Sequence, residues 1–424
     1  MLTPPSTTST SPDALASMGA RICERVDALA AISAEKGAIT RVFMSPEQKR
    51  ASELVLGWMT EAGMDARVDA IGNVVGRYEG AAPGAPAILV ASHLDTVRNA
   101  GRWDGILGVV TGIECVAALA RDGVRLPHAI EVVGFSDEEG ARFGATMLGS
   151  KALAGAFDPA LLKLRDGNGV TMADAIRAYG LDPERIGEAR REPAEIAAYL
   201  ELHIEQGPVL ETCKLPIGCV SAICGATRLA VTLTGAAGHA GTVPMNQRAD
   251  ALVGAAAAVL AVEQAATATR GLVATVGRLM VEPGGANVIP GHVAFTVDVR
   301  APQDNQRFST LKRIEESIVA IASTRGLGVS IERIHDEPAA LCDRALQDRI
   351  DAAIEAQRYE PLRLASGAGH DAMVMSRIAP IGMIFVRCRA GLSHHPDEHA
   401  EPRDVDAGAR ALLHVLKSFE ASPL

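Results

Sequence analysis

No stretch of this 424-residue sequence is long and apolar enough to read as a membrane span. The strongest apolar run, Ala251 to Val262, covers about half of the roughly 20 residues that a span needs. Arg248 and Asp250 precede it in helical spacing, so it reads as a buried, Ala-rich helix. A targeting signal is also missing. The opening residues, MLTPPSTTSTSP, lack a charged start and an apolar centre and read as a loose tail. Positive charge is not in excess: 41 Lys+Arg against 51 Asp+Glu leave a net charge of −10. That balance excludes nucleic acid or an anionic membrane surface as the main partner. The seven cysteines, Cys23, Cys115, Cys213, Cys219, Cys224, Cys342 and Cys388, are odd in number and form no C-x-x-C pair. Free thiols in a reducing, cytoplasmic compartment are expected, not disulfide staples. There is no G-x-S-x-G, H-E-x-x-H or G-x-G-x-x-G, so serine hydrolases, zincins and dinucleotide enzymes lack support.

What is present is apolar material for a sizeable core. The chain is 48% hydrophobic and 22% charged, and at about 150 residues per domain it holds two or three domains. The first half alternates apolar runs with helical patterns. Ala87–Ala91, Ala129–Phe135 and Ala197–Ile204 read as strands, and 46–62 and 108–121 as helices. Apolar runs separated by helices indicate a largely parallel sheet covered on both faces. The last eighty residues return to this style, with helix 344–357, strand Gly382–Val386 and helix 404–419.

Between about 216 and 339 the pattern changes. Strand 228–234, helix 247–263, strands 272–281 and 293–300, helix 305–324 and strand 329–334 follow in the order βαββαβ. The second helix carries Phe308, Leu311, Ile314, Ile318 and Ile321 along one face. That order is a split βαβ pattern in a small α+β domain, flanked on both sides by α/β sequence. The expected organisation is a catalytic α/β domain in two parts, 1–215 and 340–424, with an inserted domain over 216–339.

Chemistry-bearing residues follow four of the apolar runs. Ser92-His93-Leu94-Asp95 comes after AILVA, with Asp104-Gly105 a few residues on. Ser136-Asp137-Glu138-Glu139 comes after AIEVVGF, His203 ends AAYLEL, and Ser393-His394-His395 comes a short loop after MIFV. Ligands of open α/β sheets bind at the carboxyl ends of strands. A single His at a strand end is more often a satisfied structural histidine than a ligand. An adjacent Glu pair reads equally well as a solvated helix start. Their joint occurrence after four runs shifts the balance. Three histidines and two carboxylates make a ligand set for divalent zinc or manganese. A carboxylate such as Asp104 can bridge two ions, and Glu138-Glu139 can supply one base and one ligand.

The segments SHLDTV, GRWDGILG, FSDEEGARF, LHIEQGPVLE, GHAGTVPM, GGANVIPG, SGAGHDAM and SHHPDEH resemble those of M20-type binuclear metallohydrolases. Within them, LHIEQGP with SDEEG resembles the branch of allantoate amidohydrolases, N-carbamoyl-L-amino acid hydrolases and β-ureidopropionases. The resemblance runs from about residue 20 to the C-terminus. It implies an α/β zinc-peptidase-like catalytic domain with an inserted α+β lid that also forms a homodimer.

It further implies two divalent ions per subunit, Zn2+ or Mn2+. His93, Asp104 and His203 would hold one; Asp104, Glu139 and His394 would hold the other, with Glu138 as general base. The family pattern chooses His394 over His395 and His399, which spacing alone does not. Asp95 corresponds to the carboxylate that orients a ligating imidazole, and His370-Asp371 to a loop-shaping or supporting motif. In the inserted domain, Arg228, Asn287 and Arg300 correspond to substrate-binding positions, and His239 to a histidine that reaches the neighbouring subunit's site.

The implied substrate is a small ureido or carbamoyl carboxylate. VVGFSDEEGARFGATMLGSKALAG is most similar to allantoate enzymes, so allantoate, yielding ammonia, CO2 and ureidoglycine, is the expected choice. An N-carbamoyl-L-amino acid or β-ureido acid is the alternative with the same machinery. A metal-stabilised binding protein without turnover is a third reading, against which the Glu138-Glu139 pair argues.

Overall fold

The computed structural model describes residues 17–419. The N-terminal segment expected to be a loose tail lies outside them. The described chain forms two compact units: one built from residues up to 220, 342–363 and from 370 onward, the other from 221–341 and 364–369.

The first unit is an α/β sheet whose centre is parallel. Strand Ala87–His93 lies between Ala129–Phe135 and Ile196–Ile204, parallel to both, and Ile381–Val386 continues the parallel set. The borders are antiparallel: Val74–Tyr78 and Asp65–Val68 on one side, and the start of Ile217–Ile223 on the other. Every residue of Ala87–His93 and Ala129–Phe135 is buried. That is why these strands read as unbroken apolar runs and not as alternating ones. Each fully buried Leu, Ile or Val here contributes about 1.5–3 kcal/mol of burial.

Helix Ile106–Arg121 is buried on almost all sides, from Ile106 through Val116, as its apolar sequence demands. Helix Pro46–Glu61 begins where Ser45 accepts the N–H of Gln48 and Pro46 occupies the first turn. The parallel register sets His93 beside Phe135 and His203 beside Phe385. The carboxyl ends of four strands therefore share one edge of the sheet.

The second unit has an antiparallel sheet in the order Leu279–Glu282, His292–Ala301, Gly225–Thr234, Gly328–Glu337. Helices Ala251–Thr267 and Asp304–Thr324 complete it. The βαββαβ order holds, with three local differences. The strand expected over 272–281 is broken into Val273–Thr275 and Leu279–Glu282, which pair with opposite ends of His292–Ala301. Gly277 lies in the break, where a residue without a side chain weakens a strand. The first helix starts at Ala251 and not at 247, because Asp250 accepts the N–H groups of Leu252 and Val253 as its cap.

Phe308 is 42% exposed, outside the core face. Arg307 takes the inward position instead, paired with Asp304 and Asp336, and its guanidinium stacks on the Phe308 ring. All seven cysteines are free thiols and five are buried. Among the described residues, no helix is long and apolar enough to cross a membrane.

Candidate metal centre

The strand ends of the first unit gather His93, Asp104, Glu138, Glu139, His203 and His394. The ligand atoms of His93, Asp104 and His203 all lie within 4.8 Å of one another, and so do those of Asp104, Glu139 and His394. Asp104 is common to both sets. Its Oδ1 faces His203 Nε2 at 3.0 Å and His93 Nε2 at 3.4 Å, and its Oδ2 faces His394 Nε2 at 3.2 Å. Glu139 Oε1 stands 3.5 Å from His394 Nε2. Glu138 shares the pit with His93 and Glu139.

The backbone sets up these positions. Gly105 (φ +70°) follows Asp104, and a Cβ there would fall within about 2.5 Å of the His93 ring, so only glycine fits. His203 Nδ1 donates to the Ile204 carbonyl at 2.9 Å, and His93 Nδ1 to the Asp95 carbonyl at 3.1 Å. Both rings are thereby held with Nε2 facing Asp104.

The Asp95 carboxylate lies 3.5 Å from His93 Nδ1, but its closer partners are the N–H groups of Glu138, at 2.9 Å, and Glu139, at 3.2 Å. It ties the loop bearing the two glutamates to the strand bearing His93. His370 packs edge-on against His203, with ring centroids 4.6 Å apart, and Asp371 accepts the Ser150 hydroxyl. His395 and His399 turn instead toward Asp397 and Glu401.

The electrostatics are those of a cation site. Burial pushes the Glu138 carboxyl well above the usual range, with His93 pulling against it and Glu139 adding to it. Burial likewise raises Glu139, to about 7. Asp104 moves the other way: burial acts to raise it, but hydrogen bonds to His203, His394 and His93 outweigh burial and hold it well below. Asp95, Asp104, Asp137 and Asp371 are all buried beside these groups, and Oδ2 of both Asp137 and Asp371 has no hydrogen-bond partner. Imidazole nitrogens and carboxylate oxygens crowded at one point are the donor chemistry of divalent ions. Two such ions fit this site.

Three residues of the site escaped sequence reasoning. Gln206 and Ser393 each donate to Asp104 Oδ2 at 3.0 Å, and Glu398 accepts the N–H groups of Trp103 and Asp104 at 2.8 and 3.1 Å. Each stands inside a motif already singled out, LHIEQGP or SHHPDEH, and adjacency to a ligand was the available signal.

The remaining predicted residues lie in the second unit, in two pairs. Asp298 sits between Arg228 and Arg300, 2.8 Å from the Nε of each, and Arg300 also donates to the Gly367 carbonyl at 2.8 Å. Strand register enforces the first contact, since Arg228 and Asp298 are direct partners. His239 and Asn287 meet at the short pairing Gly238–His239 with Val288–Ile289, where the Ala240 N–H donates to the Asn287 carbonyl at 2.9 Å. Both side chains are exposed.

A sheet of this form with a two-ion His/carboxylate site defines a metallohydrolase. The pattern of peptidase family M20/M25/M40 matches residues 89–418. The N-carbamoyl-L-amino acid amidohydrolase of Geobacillus stearothermophilus is 42% identical, over 94% of this chain and 98% of that protein. The allantoate deiminase of Arabidopsis thaliana is 40% identical, over 93% of this chain and 81% of its own. A hydantoinase/carbamoylase-family amidase from Burkholderia multivorans superposes with a TM-score of 0.90 at 35% identity, over 96% of this chain and 98% of that one. The chain belongs to peptidase family M20/M25/M40. Within it, its place is the hydantoinase/carbamoylase branch of metal-dependent amidohydrolases.

Proposed function

We propose that this amidohydrolase cleaves the ureido (carbamoyl) C–N bond of a small carboxylate, and that its substrate is an N-carbamoyl-L-amino acid. The observation that carries the substrate is the extent of the match. Three N-carbamoyl-L-amino acid amidohydrolases align at 39–42% identity over 93–98% of their lengths. Four allantoate deiminases align at 38–40% over 81–88% of theirs. The preference for allantoate drawn from the SDEEG segment thus gives way to its alternative, and allantoate becomes the second reading.

His93, Asp104 and His203 would hold one ion, and Asp104, Glu139 and His394 the other. When bound, such ions supply Lewis acidity toward the carbamoyl oxygen and lower the pKa of the attacking water. Glu138 takes the proton from that water and returns it to the leaving nitrogen, a role its position in the pit permits. Asp95 keeps Glu138 in place through the backbone N–H.

Arg228 and Arg300, braced by Asp298, grip the substrate carboxylate, and Asn287 hydrogen-bonds its amide. His239 stabilises the oxygen that gains negative charge, and in this reading comes from the second subunit of a homodimer formed through the inserted domain. The products are ammonia, carbon dioxide and the free L-amino acid.

Ammonia release from Mn2+- or Zn2+-loaded protein, with allantoate and a panel of N-carbamoyl-L-amino acids as substrates, tests this. Turnover of the carbamoyl-amino acids is expected. Turnover of allantoate alone would replace the substrate and keep the machinery.

A further inference from the structure

The two oxygens of Asp104 are not treated alike. Among the described residues Oδ1 faces the His93 and His203 rings, whereas Oδ2, facing His394, also accepts hydrogen bonds from Gln206 Nε2 and Ser393 Oγ, each at 3.0 Å. These two side chains touch each other, Gln206 Nε2 donating to Ser393 Oγ at 2.9 Å, and Ser393 Oγ lies 3.2 Å from Glu398 Oε2. Glu398 Oε1 holds the Trp103 and Asp104 N–H groups, and its side chain packs so closely on Gly101 that a Cβ there would sit 2.3 Å away. One network therefore grips Asp104 by both its main chain and its carboxylate.

The backbone is bent to make this network. Gln206 (φ 56°) and His394 (φ 55°) are non-glycine residues in the left-handed region. In an extended strand Ser393 and His394 would point to opposite sides; the turn at His394 lets both reach the same oxygen. A serine hydroxyl has a single proton, and with the Gln206 amide on one lone pair that proton serves either Asp104 Oδ2 or Glu398 Oε2.

Burial separates the two ion positions in the same sense. The His394 side chain is 51% exposed, against 3% for His93 and 1% for His203. The inner position is enclosed by its own ligands, while the outer one depends on how its shared carboxylate is held.

We propose that Gln206, Ser393 and Glu398 are positioning residues that set the affinity of the Asp104–Glu139–His394 ion position independently of the His93–Asp104–His203 position. This rests on the two-ion reading of the site. Titration of the metal-free protein with Zn2+ against a chromophoric chelator tests both. Two ions per chain are expected for the unaltered protein, and one or none would end the two-ion reading before any variant is made.

In Ser393→Ala and Gln206→Ala the weaker dissociation constant should rise about 10–100-fold, with the tighter one unchanged. Ser393→Thr, which keeps the hydroxyl, should restore it. Glu398→Gln keeps an acceptor for both backbone N–H groups but turns an amide donor toward Ser393, committing the hydroxyl proton to Asp104. With that contact strengthened it should tighten the same constant alone, and it carries the test if an alanine variant fails to fold. A parallel loss of both constants, or an unaltered weaker constant, overturns the proposal.

Discussion

The two units hold most of their candidate functional groups in different environments. In the α/β unit, His93, Asp95, Asp104, Asp137, His203 and Asp371 are each no more than 5% exposed. In the inserted unit, the Arg228 side chain is 48% exposed, Arg300 30% and Asp298 27%. Burying a charge is costly unless it is paired, and pairing at short range fixes geometry. The buried set is thus held by short-range contacts at the strand ends and in the loops that follow them. The arginines remain hydrated and pair through one aspartate, which leaves guanidinium donors for a carboxylate ligand. In the proposed function, reaction and recognition thus fall in different physical environments.

Removing the ions should have the largest effect on this contrast. Chelation is expected to abolish ammonia release, and Mn2+ or Zn2+ to restore it, while the inserted unit is untouched. Glu138→Gln comes next, with kcat lowered about 10²–10⁴-fold and metal content by elemental analysis unchanged. Loss of metal together with activity would make Glu138 a ligand and not a base.

Within the inserted unit, Ile314→Ala should cost about 2–5 kcal/mol in urea unfolding, because Ile314 is fully buried. Arg300→Lys should raise KM about tenfold, equivalent to roughly 1.4 kcal/mol, with a smaller change in kcat, since an ammonium cannot reproduce bidentate contact. An equal fall in kcat would place Arg300 in the chemical step. The smallest effect is expected for Phe308→Ala, about 0.5–1 kcal/mol from the ring's contact with Arg307. A core-sized loss would return Phe308 to the buried face.

The strands with both faces covered were legible because burial leaves no polar positions to interrupt the apolar run, as in Ala129–Phe135. The site was legible for a related reason: His93 and Glu138 stand at or just past the ends of such runs, where polarity changes abruptly. The inserted unit was harder. Its helix start depended on one cap, Asp250, and its second helix on a choice between Arg307 and Phe308 that neighbouring acids settle. Periodicity places a residue within a turn of a face but does not say which of two adjacent side chains finds partners.

The sequence by itself determined the α/β and α+β patterns, the residue types of the centre and, through resemblance, the family. These are local properties, carried by periodicity and by motifs a few residues long. Only the tertiary structure decided which oxygen of Asp104 meets which histidine, that Asp95 holds the Glu138–Glu139 loop, and that Gln206, Ser393 and Glu398 support the shared ligand. Glu398 and the Asp104 N–H it holds are 294 positions apart in the chain. A hydrogen bond requires approach within about 3 Å in a set direction, and between segments so distant in sequence only the packing of the folded chain supplies it.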